Sequence, residues 1–364
     1  MWSRRRLLSA GAGLSAAALM PGQVGAQANA DGWFVLDEAH RHQRTFMQWP
    51  ASRRVYSDSW FRGQIQDSIA TLANAISAFE PVTLLAAAEH HGRIRAKVSG
   101  RVELWDIPTE DLWARDSGPL FVTDGRGNLA VRNFNFNGWG NKQVHRLDGQ
   151  VATRVAQRLG LPLLDSGLVG EPGGAEYDGE GTLIAHEASW INRNRNRGSK
   201  AQIERLLAQA YGAEKVIWAP GLRGQDITDD HIDSFARFTA PGRLLVQLPS
   251  DAADYDRWWR RAEESLAIFE GATDARGRRL QVDVIQDPWD TRVQSQDFVA
   301  AYVNYYVCNG AVIMAQFGDR GPDQAAQAAI RRRYPGRELV VLNMDAIGEV
   351  GGGIHCATQQ MPLA

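Results

Sequence analysis

The 364-residue chain is 44% hydrophobic and 23% charged, with a formal net charge of −2. This composition is ordinary for a soluble globular protein. The sequence has no basic stripe interleaved with stacking aromatic residues, which argues against nucleic-acid binding.

The first predicted element is an export signal over residues 1–28. Arginines at positions 4–6 give it a basic start, an apolar stretch follows, and Ala26-Gln27-Ala28 provides a small-residue cleavage site. The Ser3-Arg4-Arg5-Arg6 run resembles a twin-arginine signal. The apolar part is shorter and richer in glycine than the roughly 20 residues of a membrane span. We therefore expect cleavage near Ala28 and a periplasmic or secreted protein without a membrane anchor.

Runs of apolar and β-branched residues predict strands at intervals along the remaining chain. They cover residues 44–50, 82–87, 102–107, 120–123, 129–136, 182–188, 215–220, 235–240, 243–249, 281–286, 300–308, 311–317 and 338–344. Apolar residues three and four positions apart predict helices between them, at 68–79, 151–160, 201–212, 254–269 and 325–336. Because strands and helices are mixed throughout and no obvious linker divides them, the expected class is α/β or α+β.

Polar residues recur at comparable intervals, at or just past predicted strands. They are Asp116, Glu176, His231, Asn304 and Cys356. A ring of similar modules, each delivering one residue to a central site, would produce this spacing. No residue-level self-similarity accompanies it.

Cys356 lies in the glycine-rich segment GGGIHCATQQ (351–360). A thiolate is a strong nucleophile, and the glycines up to Gly353 would let substrate or backbone approach the sulfur closely. The alternative is a small buried apolar residue, which is what most free cysteines are. The other cysteine, Cys308, lies in a predicted buried strand, and a disulfide between the two is not expected.

An imidazole and a carboxylate lie two residues apart in DITDDHIDSFARF (226–238). On an extended segment His231 and Asp233 face the same side. The histidine could then act as an acid and base while the aspartate holds a cation. A metal site is the less favoured alternative, because the other histidines have no comparable setting.

The segment TEDLWARDSGPLF (109–121) places a tryptophan three residues before an aspartate. Asp116 before Gly-Pro is often a turn former, but the face of Trp113 could also receive a cation. A guanidinium is planar and matched by carboxylates. Two aspartates holding it would fix its central carbon for attack by a thiolate, while a histidine protonates ammonia and then activates water.

Several longer motifs carry a family resemblance. The order WARDSGP, FNFNGWGNK, GGAEYDGEGTLI, NRNRN, DITDDHIDSFARF, YVNYYVCNGAVIMAQFGD, YPGRELV and GGGIHCATQQ is similar to that of the agmatine deiminase and bacterial peptidylarginine deiminase family. The similarity runs from about Trp49 to Gln360. It implies the α/β pentein fold, a five-bladed propeller of ββαβ-type modules with pseudo-fivefold symmetry. It also implies one catalytic domain over residues 29–364, with the site in the central channel.

The resemblance implies roles for individual residues. Cys356 would be the nucleophile that forms a covalent thiouronium, and His231 the general acid and base. Asp116 and Asp233 would bind the guanidinium. Further substrate-contacting or supporting residues would be Trp113, Glu171, Glu176, Asn304 and Gly353. The resemblance implies no cofactor and no metal. It also implies a homodimer.

Three positions depart from the family pattern. Pro172 follows Glu171 where relatives read Glu-Gly-Gly, and this change puts the direction of the Glu171 side chain in question. Trp190 introduces a bulky ring, and Asp230 replaces a glycine before the histidine. A second acid near His231 would favour the protonated imidazole, or it could be an exposed charge without effect.

The expected activity is hydrolysis of agmatine to N-carbamoylputrescine and ammonia. Peptidylarginine or free arginine is the alternative substrate. Less favoured alternatives are an amidinotransferase using the same thiouronium and a periplasmic polyamine-binding protein without catalysis.

Overall fold

Five small β-sheets organise the part of the chain that the computed structural model describes, which is residues 32–251, 253–295 and 297–364. The predicted export signal over residues 1–28 lies outside the described residues. Within them, no helix has the length and apolar character needed to cross a membrane.

The described residues form sixteen strands and ten helices. The strands are β1 (His42–Gln48), β2 (Val82–Ala86), β3 (Val102–Asp106), β4 (Leu120–Thr123), β5 (Leu129–Asn133), β6 (Leu163–Asp165), β7 (Ala175–Tyr177), β8 (Thr182–His186), β9 (Lys215–Ala219), β10 (Ala236–Ala240), β11 (Arg243–Leu248), β12 (Gln281–Gln286), β13 (Tyr306–Cys308), β14 (Ala311–Ala315), β15 (Glu338–Leu342) and β16 (Gln359–Pro362). The helices are α1 (Ser59–Ile76), α2 (His91–Arg95), α3 (Ala114–Ser117), α4 (Gly138–Asn141), α5 (Val151–Leu159), α6 (Glu187–Trp190), α7 (Lys200–Tyr211), α8 (Arg257–Gly271), α9 (Arg320–Arg333) and α10 (Asp345–Gly348).

The sheets repeat one plan. In β4-β5-β6, the first pair is antiparallel and the second is parallel, with α5 in the connection between the parallel strands. The same order occurs in β7-β8-β9 with α7, in β10-β11-β12 with α8 and in β13-β14-β15 with α9. Parallel neighbours need such a crossover. The predicted ββαβ modules are thereby confirmed.

The first module is assembled from both ends of the chain. β16 pairs antiparallel with β1, which runs parallel to β2 across α1, and β3 extends this sheet. The C-terminal strand therefore takes the position that the first strand takes in the other four modules. This closure brings the residues just before β16 to the same end of the modules as the residues that precede the other first strands.

Local sequence explains where the long helices begin and end. Asp58 accepts from the Phe61 backbone N–H at 2.7 Å to cap α1, and Asp256 accepts from the Trp258 N–H at 2.7 Å to cap α8. Such caps satisfy backbone donors that have no partner inside the helix. Gly160 ends α5 in the left-handed conformation, which glycine adopts without steric penalty.

The largest apolar cluster joins the first and fifth modules. Side chains of α1 and β2 pack with those of β13, β14 and α9, and every residue of β14 is buried. Burying one large aliphatic or aromatic side chain contributes roughly 1.5–3 kcal/mol. Both cysteines are free and buried. The site segments are thus mounted on a rigid core.

The structure corrects two expectations about strands. The predicted strand at 300–308 forms only at Tyr306–Cys308, and the short strands β6, β7 and β16 were missed. Four of the five spaced polar residues do not follow strands either, because they lie just before the first strand of a module: Asp116 precedes β4, His231 precedes β10, Asn304 precedes β13 and Cys356 precedes β16. The third module contributes Glu171, whereas Glu176 lies inside β7.

Candidate active site

The segments entering the five first strands place one side chain each in a common buried region. The relative exposures are 3% for Asp116, 1% for Glu171, 0% for Asp233, 2% for Asn304 and 7% for Cys356. Their hydrogen bonds and ion pairs, described below, link the modules to one another. Repetition of one module therefore produces a site made of unlike residues.

Asn304 fixes the position of Cys356. Its Oδ1 accepts from the backbone N–H groups of His355 at 2.9 Å and Cys356 at 3.3 Å, and its Nδ2 donates to the Cys356 Sγ at 3.2 Å. A Cβ at Gly353 would overlap Asn304 Oδ1. Gly353 therefore permits the close approach of Asn304 to the cysteine segment.

The thiol of Cys356 faces two carboxylates. Burial, and then the charges of Asp233 and Asp116, raise its pKa well above the ordinary value. The Sγ lies 3.5 Å from Asp233 Oδ2, to which the thiol can donate. A cation bound between these carboxylates would offset the charges that oppose the thiolate.

His231 lies between two acids. Its Nε2 is 3.2 Å from Glu171 Oε2, and its Nδ1 is 3.7 Å from Asp116 Oδ1. Burial lowers the pKa of His231, but the charge of Asp116 and the hydrogen bond to Glu171 outweigh burial and raise it to about 9. The ring is an imidazolium at neutral pH and can donate a proton.

Glu171 is held toward the histidine by Arg195. The Arg195 Nε lies 3.0 Å from Oε1 and 2.9 Å from Oε2 of Glu171, and its Nη1 donates to Asp229 Oδ2 at 2.7 Å. Burial raises the pKa of Glu171, but Arg195 outweighs burial and keeps that pKa below its ordinary value. The extended backbone of Glu171, typical before proline, directs its carboxylate to His231 despite Pro172.

Gly173 borders a small space on which polar atoms converge. A Cβ at Gly173 would lie 2.7 Å from Asp116 Oδ1, 3.0 Å from His231 Nδ1 and 3.2 Å from Asp233 Oδ2. Asp116 Oδ1 and His231 Nδ1 are both buried without a hydrogen-bond partner. Buried polar groups are nearly always paired, so these two atoms indicate the position of a polar ligand.

Trp139 fixes the other oxygen of Asp116. Its Nε1 donates to Asp116 Oδ2 at 2.9 Å. Burial, together with the charges of Asp233 and Glu171, raises the pKa of Asp116 to about 7. Trp139 has φ of 54° and lies between two glycines that also have positive φ. The sequence alone gave Trp139 no role, although the Gly-Trp-Gly sequence marks this unusual turn.

A cavity of about 350 Å³ leads to Cys356. Aromatic rings and acids line it, among them Tyr56, Phe61, Trp113, Trp139, Asp58, Asp111 and Asp116. The ring of Trp113 lies against the backbone of Gly352, where a Cβ would be 2.5 Å from it. The charged side chains among the described lining residues are all carboxylates. The cavity thus suits a flat cation with an apolar tail.

A second cavity, of about 480 Å³, reaches Cys356 from the side of His231. Asp230 lines it, but its Oδ2 lies 2.9 Å from the Arg261 Nε. Asp230 is buried, so it is not the exposed charge that the sequence allowed as one alternative. The charges that raise the pKa of His231 come from Asp116, Glu171 and Asp233.

Two other sequence-predicted positions lie beside the site. Glu176 Oε1 is 2.6 Å from Arg237 Nε, so its carboxylate belongs to an ion-pair cluster rather than to the cavity lining. Trp190 donates to the Gly174 carbonyl at 2.8 Å and packs under the Gly173 segment. Within the described residues, no group of three or more His, Cys, Asp or Glu side chains is arranged to hold a metal ion.

Comparisons with known proteins agree with the sequence resemblance. The family model for Porphyromonas-type peptidyl-arginine deiminase matches residues 34–362. The agmatine deiminase of Stutzerimonas stutzeri is 33% identical, over 91% of this chain and 96% of that protein. The agmatine deiminase of Pseudomonas aeruginosa strain LESB58 is also 33% identical, over 92% of this chain and 96% of that protein. The structure of Enterococcus faecalis agmatine deiminase superposes with a TM-score of 0.84 at 25% identity, covering 92% and 96% of the two chains.

Proposed function

The chain belongs to the Porphyromonas-type peptidyl-arginine deiminase family, and we propose that it hydrolyses agmatine to N-carbamoylputrescine and ammonia. One observation carries the proposal. Asp116 Oδ1 and His231 Nδ1 lie 3.7 Å apart, and both are buried without hydrogen-bond partners around the space beside Gly173. The Cys356 thiol lies next to this space, in contact with Asp233. A guanidinium there would give both carboxylates a planar donor.

The first half of the reaction transfers the amidino carbon to sulfur. Binding of the guanidinium between Asp116 and Asp233 favours loss of the Cys356 thiol proton to solvent. The thiolate then attacks the guanidinium carbon, which gives a neutral tetrahedral adduct. His231, protonated at neutral pH because its pKa is raised to about 9, donates a proton to one amino group. The C–N bond breaks, ammonia leaves, and a cationic thiouronium remains on the sulfur.

The second half returns the enzyme to its starting state. The now neutral His231 removes a proton from water, and the oxygen attacks the thiouronium carbon. The C–S bond then breaks, which releases the ureido product and the thiolate of Cys356. The proton lost from the hydroxyl of this adduct combines with the released ammonia. His231 is again an imidazolium, and the thiolate takes back a proton from solvent as the product leaves.

The charge of the cavity favours agmatine over arginine. Asp58, Asp111 and Asp116 line it, and Lys and Arg are absent from its described lining. Agmatine carries only an ammonium group at its distal end, whereas arginine carries an α-carboxylate beside its α-ammonium. Like charges within a few ångströms disfavour binding in a partly buried site. The cavity therefore supports a doubly cationic substrate.

A substrate panel tests the proposal. Purified protein is given agmatine, arginine and a blocked peptidyl-arginine, and ammonia and ureido product are both measured. We expect kcat/KM for agmatine to exceed that for arginine by about 100-fold, from roughly 2–3 kcal/mol of lost attraction and added repulsion. Cys356→Ser should abolish turnover. Turnover of peptidyl-arginine without turnover of agmatine would contradict the substrate assignment, and transfer to an added amine would indicate an amidinotransferase.

Export and assembly are separate proposals. The arginines at positions 4–6 and the small-residue site ending at Ala28 support twin-arginine export to the periplasm. Replacing Arg4, Arg5 and Arg6 by lysine should leave the protein unprocessed in the cytoplasm, as cell fractionation would reveal. The family resemblance supports a homodimer, which light scattering of the mature protein tests.

A further inference from the structure

An ion-pair cluster lies behind the proposed site and is centred on Glu38, a residue of the segment preceding β1. Glu38 Oε2 is 2.7 Å from His355 Nε2, 3.0 Å from Arg237 Nη2 and 3.1 Å from Arg115 Nη2. Its Oε1 accepts from the backbone N–H of Val307 at 2.8 Å. One carboxylate therefore connects four separate segments.

The partners of Glu38 adjoin the residues of the site. Arg115 precedes Asp116, His355 precedes Cys356, and Val307 lies in β13, just after Asn304. The Arg115 backbone N–H also donates to the Cys356 carbonyl at 3.0 Å. A displacement of Glu38 would thus be transmitted to several groups that face the substrate.

His355 is bound by carboxylates at both ring nitrogens. Its Nδ1 lies 2.7 Å from Asp233 Oδ2, and its Nε2 faces Glu38 at 2.7 Å and Glu176 at 3.9 Å. Burial opposes ionisation of Glu38, but Arg237, His355 and Arg115 outweigh it and hold the pKa well below its ordinary value. For Asp233, burial is likewise outweighed by the His355 hydrogen bond, and its pKa is also lowered.

Two ionised carboxylates are acceptors only. The His355 ring lies between these two carboxylates, so its orientation is fixed at both nitrogens. The same Asp233 Oδ2 that accepts from His355 contacts the Cys356 Sγ. His355 therefore sets the direction of the carboxylate that would hold the guanidinium beside the sulfur.

We propose that Glu38 is a positioning residue for the deimination proposed above: it fixes the orientation of the His355 ring and thereby holds Asp233 against Cys356. Glu38 itself does not touch the substrate. Its action runs through one imidazole to one carboxylate. The inference rests on the proposed function for its kinetic consequence but not for the orientation of the His355 ring.

Glu38→Gln is the test variant, and Glu80→Gln is its matched control. Glu80 is also buried and also pairs with a histidine, with its Oε1 3.0 Å from His42 Nδ1, but it lies in a different cluster with Thr45 and Tyr306. Misplacing a substrate-holding group by about 1 Å lowers turnover on the order of 100-fold. We expect Glu38→Gln to lower kcat/KM for agmatine about 10- to 100-fold, and Glu80→Gln to change it less than about threefold while shifting the melting temperature comparably.

A spectroscopic measurement separates positioning from a merely structural role. In ¹⁵N-histidine-labelled protein, the ring resonances of His355 are assigned by comparison with His355→Gln. Glu38→Gln should shift these resonances, because it changes the group that Nε2 faces, and Glu80→Gln should leave them in place. This readout needs no turnover, so absence of agmatine hydrolysis would refute the proposed function alone. Unchanged His355 resonances in Glu38→Gln, or equal kcat/KM losses in the two glutamine variants, would overturn the role of Glu38.

Discussion

Gly173→Ala is the sharpest perturbation of the proposed guanidinium space. The added Cβ would lie within 3.2 Å of Asp116 Oδ1, His231 Nδ1 and Asp233 Oδ2. Gly173 does not have positive φ, so alanine can adopt its backbone conformation without strain. The substitution therefore crowds the three polar groups around the proposed ligand position, and these buried side chains must shift to admit the methyl group.

The magnitude follows from the interactions that the methyl group would displace. A guanidinium beside Gly173 would make charge-assisted hydrogen bonds to both carboxylates, each contributing roughly 1.5–3 kcal/mol. Losing two of them removes about 3–6 kcal/mol, which corresponds to about a 10²- to 10⁴-fold loss in kcat/KM. Stability should fall by roughly 1–3 kcal/mol, which is typical when an extra carbon is forced into a packed interior.

Two measurements check this prediction. Steady-state kinetics with agmatine give kcat/KM, and calorimetry in a Cys356→Ser background gives the dissociation constant without turnover. Gly321→Ala is the control, because its Cβ would meet nothing within 4 Å and its φ is not positive. The control should keep wild-type kinetics. A Gly173→Ala protein that binds agmatine within about threefold of wild type, less than 1 kcal/mol, would refute the assignment of this space to the guanidinium.

Three further predictions concern the groups around the same space. The pKa of His231 is raised to about 9, so kcat/KM measured against pH should fall as pH rises through about 9, where the proton donor is lost. Arg195→Met leaves Glu171 buried without its cation, so denaturant melts should show the free energy of unfolding reduced by about 3–5 kcal/mol. The fall of kcat/KM at high pH should also move to lower pH, because a protonated Glu171 no longer stabilises the charged His231. Trp139→Phe removes the donor to Asp116 Oδ2, so calorimetry should show agmatine affinity reduced about tenfold or more, with an unchanged affinity arguing against Asp116 as a ligand-binding group.

The modular fold was predictable because the longer strands and helices of each module have clear sequence patterns. Buried strands such as β8 and β14 are continuous apolar runs, and α7 shows helical spacing between a serine cap and a terminal glycine. The missed strands are short or polar: β7 has three residues with a glutamate at its centre, and β16 reads Gln-Gln-Met-Pro. Their pairing depends on neighbouring strands rather than on their own pattern.

The same division applies to the site. Cys356, His231 and Asp233 could be identified as candidate catalytic residues from the sequence, because the chemistry of each side chain suggests a role. Gly173 was missed because its importance lies in the side chain that it lacks, which only the approach of three other segments reveals. The sequence did not show which of Glu171 and Glu176 belongs to the site, because their local patterns do not differ. Their partners in the fold do: Glu171 pairs with Arg195 and His231, whereas Glu176 pairs with Arg237.

The charge balance of the site also explains how binding and reaction would be coupled. Burial, and then the charges of Asp233 and Asp116, raise the pKa of Cys356. The nucleophile is therefore a thiol before the substrate binds. A guanidinium between these carboxylates would neutralise them and favour the thiolate at the moment when its target is in place. The ureido product is uncharged at the same carbon and could not maintain that neutralisation. Conversion of a cation to a neutral group would therefore weaken the grip of both aspartates and favour release of the product.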